Sequence, residues 1–295
     1  MVSVKKRTVA AKEYYYLEHS IRTAHGVTKK EKYLGTQIPG KIEEIKTKFL
    51  SEIYKERWHP TLNRIKQNYS REEQKTPKSV LEKQVRSFSV KFTYDTNRIE
   101  GSRLTYRETA DLLERGLTPS AKPVKDIKEA EAHEKLFYEM LGYKKELTRQ
   151  IVLYWHKKLF EATKLDLAGK LRGYQIAISG SKFMPPSPIE VPILFNDFFK
   201  WYNKSKDKLH PVELAALAHL KFVTIHPFGD GNGRISRLLM NFVLHKHGFP
   251  LLNIPYENRN SYYTALERSQ VKKNNSIFVQ WLFKRYIKEY KNYAK

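Results

Sequence analysis

The segment HPFGDGNGRISR, residues 226–237, concentrates residue types that bind anions and move protons. It holds one His, one Asp, one Asn, two Arg and three Gly, and it lies between two apolar stretches. Glycines permit backbone conformations that other residues resist, and they let a ligand approach the main chain closely. We therefore expect a ligand-binding loop in this segment.

The glycine-rich residues 229–233 open a helix that carries Arg234 and Arg237. The free N–H groups and the dipole at a helix N-terminus form an anion site. Two arginines three positions apart can face the same anion, and Asp230 supplies an oxygen ligand suited to Mg²⁺. The pattern predicts a site for a magnesium polyphosphate. It is not a P-loop, because the sequence contains no GxxxxGK[ST], and it follows no strand, as a dinucleotide fingerprint would.

His226 stands at the end of an apolar helix, directly before this loop. A histidine can accept a proton near neutral pH, and beside an α-phosphate it would deprotonate an incoming hydroxyl. Most isolated histidines are core or capping residues. Here the adjoining anion loop favours a general base.

These twelve residues match the signature HxFx[DE]GNGRxxR, and the chain resembles the Fic family of protein adenylyltransferases over about residues 80–285. The resemblance implies a mainly α fold, namely a Fic-type helical bundle with a β-hairpin flap. It implies transfer of AMP from ATP to a Ser, Thr or Tyr hydroxyl of a target protein, with Mg²⁺ or Mn²⁺. His226 would be the general base, Phe228 a buried anchor and Asp230 the metal ligand. Gly233 and Arg237 favour AMP transfer over kinase-like chemistry, while transfer of UMP or another nucleotide stays open.

The resemblance also assigns the nucleotide contacts. Gly231, Asn232 and Gly233 would cradle the α- and β-phosphates, Arg234 would meet the β-phosphate and Arg237 the γ-phosphate. Residues 173–188 resemble the flap that covers the nucleotide and clamps the target by strand addition. The segment NSYYTALERSQ resembles the adenine-side helix, where plain helix packing is the alternative. The remaining expected nucleotide-binding residues are Gly229, Asp230, Ile176, Ala177, Ile178, Ser179, Gly180, Tyr263 and Gln270.

The segment TYDTNRIEGS holds Thr96, Glu100 and Gly101, which match the inhibitory [ST]xxxE[GN] motif of the same family. Thr96 and Glu100 are four apart and share one face of a helix. If that face meets the anion site, Glu100 would pair with Arg237 and inhibit in cis. An ordinary surface glutamate is the alternative. The resemblance also allows the same carboxylate to orient water and reverse the modification.

The elements that must position these residues are mostly helices. Alternation over Tyr15–Ile21, a turn at residues 23–26 and a second strand over Val27–Leu34 predict an N-terminal β-hairpin. Thr105 and Glu108 form a capping-box pattern, and residues 68–78 are the best linker candidate. Further helices are expected over Val124–Leu141, Thr148–Thr163, Pro192–Asn203 and Pro211–Thr224, with a short hairpin over 173–188. We divide the chain into a β-hairpin extension (1–40), a helical region carrying the inhibitory helix at about 80–100 (41–125), a Fic core (126–285) and a C-terminal end (286–295).

The charge leaves a second function open. Lys and Arg number 55 against 31 acidic residues, a formal net charge of +24. Residues 1–50 carry eleven Lys/Arg and five acids, and residues 268–295 carry eight and one, interleaved with aromatics. Such segments can bind nucleic acid, although the C-terminal aromatics also fit one apolar helix face. The chain has no cysteine and no membrane-length apolar run, so we expect a cytoplasmic protein that does not bind membranes. A homodimer is compatible with the family.

Overall fold

The computed structural model describes residues 2–23 and 26–295, so the turn expected at residues 23–26 lies partly outside the described residues. The chain divides into two compact units, residues 1–65 with 291–295, and residues 66–290. Among the described residues, no helix combines the length and apolar character that a membrane span requires.

The first unit is built on an antiparallel sheet of β1 (Val2–Val9), β2 (Lys12–Thr23) and β3 (Gly26–Gly35), in that order. The predicted hairpin corresponds to β2 and β3, but the sequence analysis missed β1. The turn between β1 and β2 has Ala10 and Ala11 at φ values of 47° and 63°. Such turns normally carry Asn or Gly, so the usual sequence signal for a hairpin is absent here.

Helix α1 (Ile42–Arg57) follows the sheet, and α2 (His59–Lys75) follows α1 almost directly. One face of the sheet is apolar, and its Leu17 packs with Phe49 and Ile53 of α1. The linker predicted over residues 68–78 is wrong, because α2 continues through its first part and only a short break at Thr76 and Pro77 separates α2 from the next helix. The many charged residues of α2 lie on a solvated helix surface rather than in a loop.

The second unit is helical. Its elements are α3 (Lys78–Ile99), α4 (Tyr106–Arg115), α5 (Val124–Gly142), α6 (Arg149–Phe160), α7 (Val191–Ser205), α8 (Pro211–Ile225), α9 (Asn232–Lys246), a 3₁₀ turn (Tyr256–Asn258), α10 (Arg259–Val271) and α11 (Ser276–Glu289). The helices predicted from apolar periodicity are therefore confirmed, with ends that differ by up to three residues. Gly101 of the expected inhibitory motif lies two residues beyond the end of α3 and has a φ of 94°.

Helices α8 and α9 form the centre of this unit, because most of their side chains are buried on every side. A helix that is apolar all round must lie inside a fold. The segment 226–231 joins these two central helices, so the predicted ligand loop is fixed at both ends to the most buried elements of the unit.

The short hairpin predicted over residues 173–188 is wrong as secondary structure, because this segment contains no strand. It is an extended loop with a turn near Gly180. Arg172, only 3% exposed, donates hydrogen bonds to the carbonyl oxygens of Tyr174 (2.9 Å) and Pro186 (2.6 Å). The guanidinium therefore connects the two legs of the loop through carbonyl groups that would accept hydrogen bonds in a strand ladder. The prolines at 185, 186 and 188 also lack the N–H donors that a ladder needs.

Three of the six aromatic residues in the C-terminal segment 268–295 are core residues. Phe278, Phe283 and Tyr286 of α11 are each 0% exposed. Their interleaving with basic residues reflects an amphipathic helix, so the C-terminal segment offers few free aromatic rings to a nucleic acid.

The capping box predicted at the start of α4 is confirmed, since Thr105 Oγ1 accepts from the Glu108 N–H and the Glu108 carboxylate accepts from the Thr105 N–H. We expect Thr105→Ala to lower the free energy of unfolding of the helical unit by about 1 kcal/mol, because the helix loses a side-chain cap. Thr118→Ala, in an exposed loop, is the control. Thermal unfolding followed by circular dichroism checks this, and equal midpoints for the two variants would contradict it.

Candidate active site

The backbone of His226 has a φ of 51°, and this left-handed conformation turns the chain out of α8 and into the loop. The His226 Nδ1 lies 3.1 Å from the Val223 carbonyl oxygen, and its own carbonyl accepts from Arg172 Nε at 2.8 Å. Because a carbonyl oxygen can only accept, Nδ1 carries the proton and Nε2 keeps a free lone pair. Burial lowers the pKa of His226, against the opposing effects of the Val223 hydrogen bond and Glu100. The imidazole is therefore neutral and basic near pH 7.

The loop after His226 is closed by one amide. Asn232 Oδ1 accepts from the Phe228 N–H at 2.9 Å, and Asn232 Nδ2 donates to the Phe228 carbonyl at 2.8 Å. Both residues are almost completely buried. These two reciprocal hydrogen bonds close residues 228–232 into a cyclic turn.

A second histidine supports the loop from α6. His156 Nδ1 accepts from the Gly169 N–H at 2.9 Å, so its Nε2 donates to the Asp230 carbonyl at 3.0 Å. Its ring stacks on Phe228 with centroids 3.7 Å apart. Burial lowers the pKa of His156 to about 4, which keeps this ring neutral. His156 is therefore a positioning residue for the backbone of the loop.

An added Cβ at Gly231 or Gly233 would meet a neighbouring side chain. Gly231 has a φ of 78°, and a Cβ there would collide with the ring of Phe160. A Cβ on Gly233 would collide with the Glu100 carboxylate. The first glycine permits the turn into α9, and the second permits α3 to reach the start of α9.

Arg237 is the buried cation of the site, with 1% exposure. Its Nη2 lies 2.6 Å from Glu100 Oε1, its Nε lies 2.5 Å from Thr96 Oγ1, and its Nη1 lies 3.3 Å from the hydroxyl of Tyr262. The same Nη2 also donates to the Thr96 carbonyl at 3.1 Å. Helix α3 and its C-cap residue Glu100 therefore supply most of the partners of this guanidinium, including its only carboxylate among the described residues.

Arg234 does not share the anion side with Arg237, which corrects the expectation from their spacing. Its guanidinium pairs with Glu129 and with Asp230, contacts Asn97 at 3.4 Å, and does not line the cavity described below. Positions three apart on a helix differ by about 60° in direction, and this angle turns Arg234 towards α5. The expected contact of Arg234 with a β-phosphate would therefore require its side chain to move.

Asp230 is the carboxylate that could hold a metal ion. Lys164 Nζ lies 2.5 Å from its Oδ2, and its Oδ1 accepts from Arg234 at 3.2 Å. Burial raises the pKa of the Asp230 carboxyl, but Arg234 and Lys164 outweigh it and hold that pKa below its usual value. The described residues contain no cluster of three metal-binding side chains. A single ionised carboxylate beside a phosphate site fits Mg²⁺, which keeps waters and takes its other ligands from substrate phosphates.

A cavity of about 430 Å³ joins these groups. Its walls include His226, Glu100 and Arg237, and Ile178, Ser179 and Gly180 of the flap segment reach it, whereas Ile176 and Ala177 do not. Tyr263 and Gln270 also line it, with Tyr263 donating to the Ile99 carbonyl at 2.9 Å and Gln270 to Thr224 Oγ1 at 3.2 Å. The motif residues on the walls are Gly229, Asp230, Gly231, Asn232 and Gly233. Thr96 and Gly101 lie outside the lining, Thr96 behind Arg237.

Comparison with known proteins agrees with this geometry. The family model described as Fic/DOC matches residues 146–244. A solved Fic-domain-containing signalling protein from Bacteroides thetaiotaomicron is 31% identical, with a TM-score of 0.70, and the match covers 79% of this chain and 96% of that one. The chain belongs to the Fic/DOC family.

Other relatives extend the same picture. Fic-1 from C. elegans is 26% identical over 86% of this chain and 77% of that chain, with a TM-score of 0.70. A curated relative, protein adenylyltransferase Fic from Drosophila ananassae, is 35% identical over 178 residues, which are 59% of this chain. The chain spans about a third of the length of such curated relatives, since the match covers 35% of that protein.

The matched Fic/DOC region contains the flap segment, α8, the loop and most of α9, but it does not include α3. The family match therefore does not bear on Glu100, whose pairing with Arg237 is seen in the geometry of this chain. Sequence reasoning missed four residues that shape the site, namely His156, Lys164, Arg172 and Tyr262. Only Tyr262 lies in a segment singled out from the sequence, beside the expected Tyr263, and each of the four contacts a residue at least 25 positions away in the chain.

The two hydrogen bonds between Asn232 and the main chain of Phe228 can be tested at this Fic/DOC site. We expect Asn232→Ala to lower the free energy of unfolding by about 2 kcal/mol or more, because it leaves the buried Phe228 N–H and carbonyl without partners. The stabilisation of the protein by added ATP should also shrink, since the loop is no longer preformed. Asn203→Ala on the exposed surface of α7 is the control. Denaturant unfolding with and without ATP measures both effects, and wild-type behaviour of Asn232→Ala would show that the amide does not hold the loop.

Proposed function

We propose that the protein transfers AMP from ATP to a hydroxyl of a target protein and that its own Glu100 holds it inactive. One observation carries the proposal. Arg237 lies on the wall of the cavity that contains His226 and the glycine loop, and its guanidinium is paired with Glu100 at 2.6 Å. A buried arginine at the start of a helix is a natural triphosphate ligand.

The reaction assigns one step to His226. Its Nε2 takes the proton of the acceptor hydroxyl as that oxygen attacks the α-phosphorus, and the bond from the α-phosphorus to the bridging oxygen breaks to release diphosphate. Because Nδ1–H is held by Val223, the ring presents the same nitrogen in every turnover. The contribution of the protein is mainly positioning and charge neutralisation.

The N–H groups of residues 231–233 and Arg237 would bind the phosphates, and Asp230 would hold Mg²⁺ or Mn²⁺. The metal ion supplies charge neutralisation to the phosphate oxygens when it is bound. For Asp230 to bind it, the Lys164 ammonium must leave Oδ2. Glu129 gives that ammonium an alternative partner, already 3.2 Å away.

The flap segment supports a protein as the acceptor. Its backbone is extended without a strand ladder, the Ser181 N–H donates to the Ile178 carbonyl at 3.1 Å, and the Lys182 N–H donates to Glu267 of α10 at 2.7 Å. An extended, anchored segment with free backbone groups can pair with a peptide strand. Residues 178–180 would then cover the nucleotide while neighbouring backbone aligns the hydroxyl.

Inhibition depends on which anion pairs with Arg237, the Glu100 carboxylate or a phosphate of ATP. The Glu100 carboxylate occupies the guanidinium that the γ-phosphate needs, and its charge repels the triphosphate. ATP would therefore bind with its α-phosphate out of line for attack. A misalignment that raises the barrier by about 3 kcal/mol lowers the rate roughly 100-fold.

We expect Glu100→Gly and Glu100→Gln to raise self-labelling from ATP by about 100-fold, because both free Arg237. Label in the α-phosphate should be transferred and label in the γ-phosphate should not. Arg237→Ala added to either variant should remove the gain. Labelling with Mg²⁺ or Mn²⁺, read by gel autoradiography, measures this.

The matched control is Glu82→Gln, an exposed carboxylate on the same helix, which should label as the wild type does. If Glu100→Gly leaves both labelling and ATP affinity unchanged, α3 is not the switch. Transfer of the γ-phosphate would overturn AMP transfer itself.

The role of His226 makes a pH prediction, best measured in the Glu100→Gly background. His226→Ala should abolish transfer at every pH while ATP binding stays within a few-fold. With His226 present, kcat/KM should stay constant as the pH falls to 6.5 and decline only below that value, because burial lowers the pKa of His226 and a base works in its neutral form. An acid limb centred above 6.5 would exclude this histidine in this environment as the base.

A further inference from the structure

The N-terminal sheet has a second face that the fold does not use. Side chains on alternate positions of β2 point to opposite faces, and the Leu17 side packs on α1. The register places Lys5 opposite Tyr16, Arg7 opposite Tyr14, and Tyr16 opposite Tyr33. These residues form the other face, which we call the tyrosine face.

Three aromatic rings are clustered on this face without a core around them. The ring centroids of Tyr16 and Tyr33 are 5.2 Å apart, and those of Tyr14 and Tyr33 are 6.4 Å apart. The Arg7 guanidinium lies 4.6 Å from the centroid of Tyr16. Tyr33 is 53% exposed. Adjacent exposed aromatic rings on a sheet are a surface for stacking planar groups.

The charges of the tyrosine face favour an anionic partner. Two of its cations are satisfied within the face, because Arg7 pairs with Glu31, and Lys29 pairs with Glu18 at 3.1 Å. Lys5 and Lys12 are exposed, and neither forms an ion pair with another described residue. The tyrosine face thus carries an excess of two positive charges beside three aromatic rings.

We propose that the tyrosine face binds single-stranded nucleic acid. Unpaired bases can stack on the tyrosines, and Lys5 and Lys12 can contact the phosphates on either side. Single strands are bound in this way, by aromatic platforms combined with cations, and base stacking is tolerant of sequence. A duplex hides its base faces, so it would use only the cations.

The test uses the full chain and fluorescein-labelled oligonucleotides of about 12 nucleotides, a length within the usual site size of such surfaces. Fluorescence anisotropy should show that oligo(dT) and oligo(U) bind more tightly than a duplex of equal length. Tyr33→Thr and Tyr16→Thr should each weaken binding of the single strand about tenfold, while the affinity for the duplex changes little. Tyr154→Ala, another exposed tyrosine lying on α6, should change neither.

Salt dependence separates the phosphate contacts from the stacking. Lys5→Gln with Lys12→Gln should reduce the slope of log Kd against log salt by about 1.4, since each phosphate contact on a single strand contributes about 0.7. Lys125→Gln with Lys128→Gln, two exposed lysines of α5, removes the same charge elsewhere and should leave the slope unchanged. Circular dichroism checks that every variant is folded, and self-labelling from ATP should be unaffected by the changes in the sheet.

Three results would overturn the proposal. One is the absence of binding at about 50 mM salt, and the second is binding to the duplex as tight as to the single strand. The third is an equal loss in the sheet variants and in the α5 control, which would mean that only the net charge of the chain matters. None of these results bears on AMP transfer, so the two proposals fail independently.

Discussion

The pairing of Arg237 with an anion is the constraint around which the helical unit is arranged. A guanidinium with 1% exposure cannot remain charged without partners that replace its hydration. Helix α3 meets this need from the protein side with the carboxylate of its C-cap residue Glu100 and with the hydroxyl and carbonyl of Thr96. The phosphate of a nucleotide could meet it from the cavity side. The resting state and the proposed active state therefore differ in which anion satisfies the same cation.

The hydrogen bonds that hold the rest of the loop involve neither Arg237 nor Glu100. Asn232 closes the loop through main-chain groups of Phe228, His156 holds the carbonyl of Asp230, and Arg172 holds that of His226. These contacts are with backbone atoms, so they do not depend on the nucleotide. In the proposed mechanism, a rigid loop beside one exchangeable ion pair would let the position of α3 control the site without reshaping the surroundings of His226.

Local sequence patterns predicted the parts of this arrangement that local geometry determines. The capping box of α4, the ends of the helices around the loop and the shared face of Thr96 and Glu100 all follow from spacing within one element. The patterns were insufficient where a distant residue decides the outcome. Glu129 of α5 draws Arg234 away from the cavity, and Arg172 takes the carbonyl groups that the predicted hairpin over 173–188 would have paired. The strand β1 was missed because alanines occupy turn positions where glycine is the usual signal.

Electrostatics ties the general base to the same ion pair. The chain carries a net charge of +24, and burial together with Arg172 keeps the pKa of His226 low. Glu100 acts in the opposite direction, because its negative charge raises the pKa of His226. If Glu100 leaves as the nucleotide enters, the phosphates bring negative charge of their own into the cavity, and the field at the imidazole changes far less than the removal of a carboxylate alone would change it. In the proposed mechanism, the exchange at Arg237 would turn the reaction on through the alignment of ATP, while the basicity of His226 would stay nearly the same in both states.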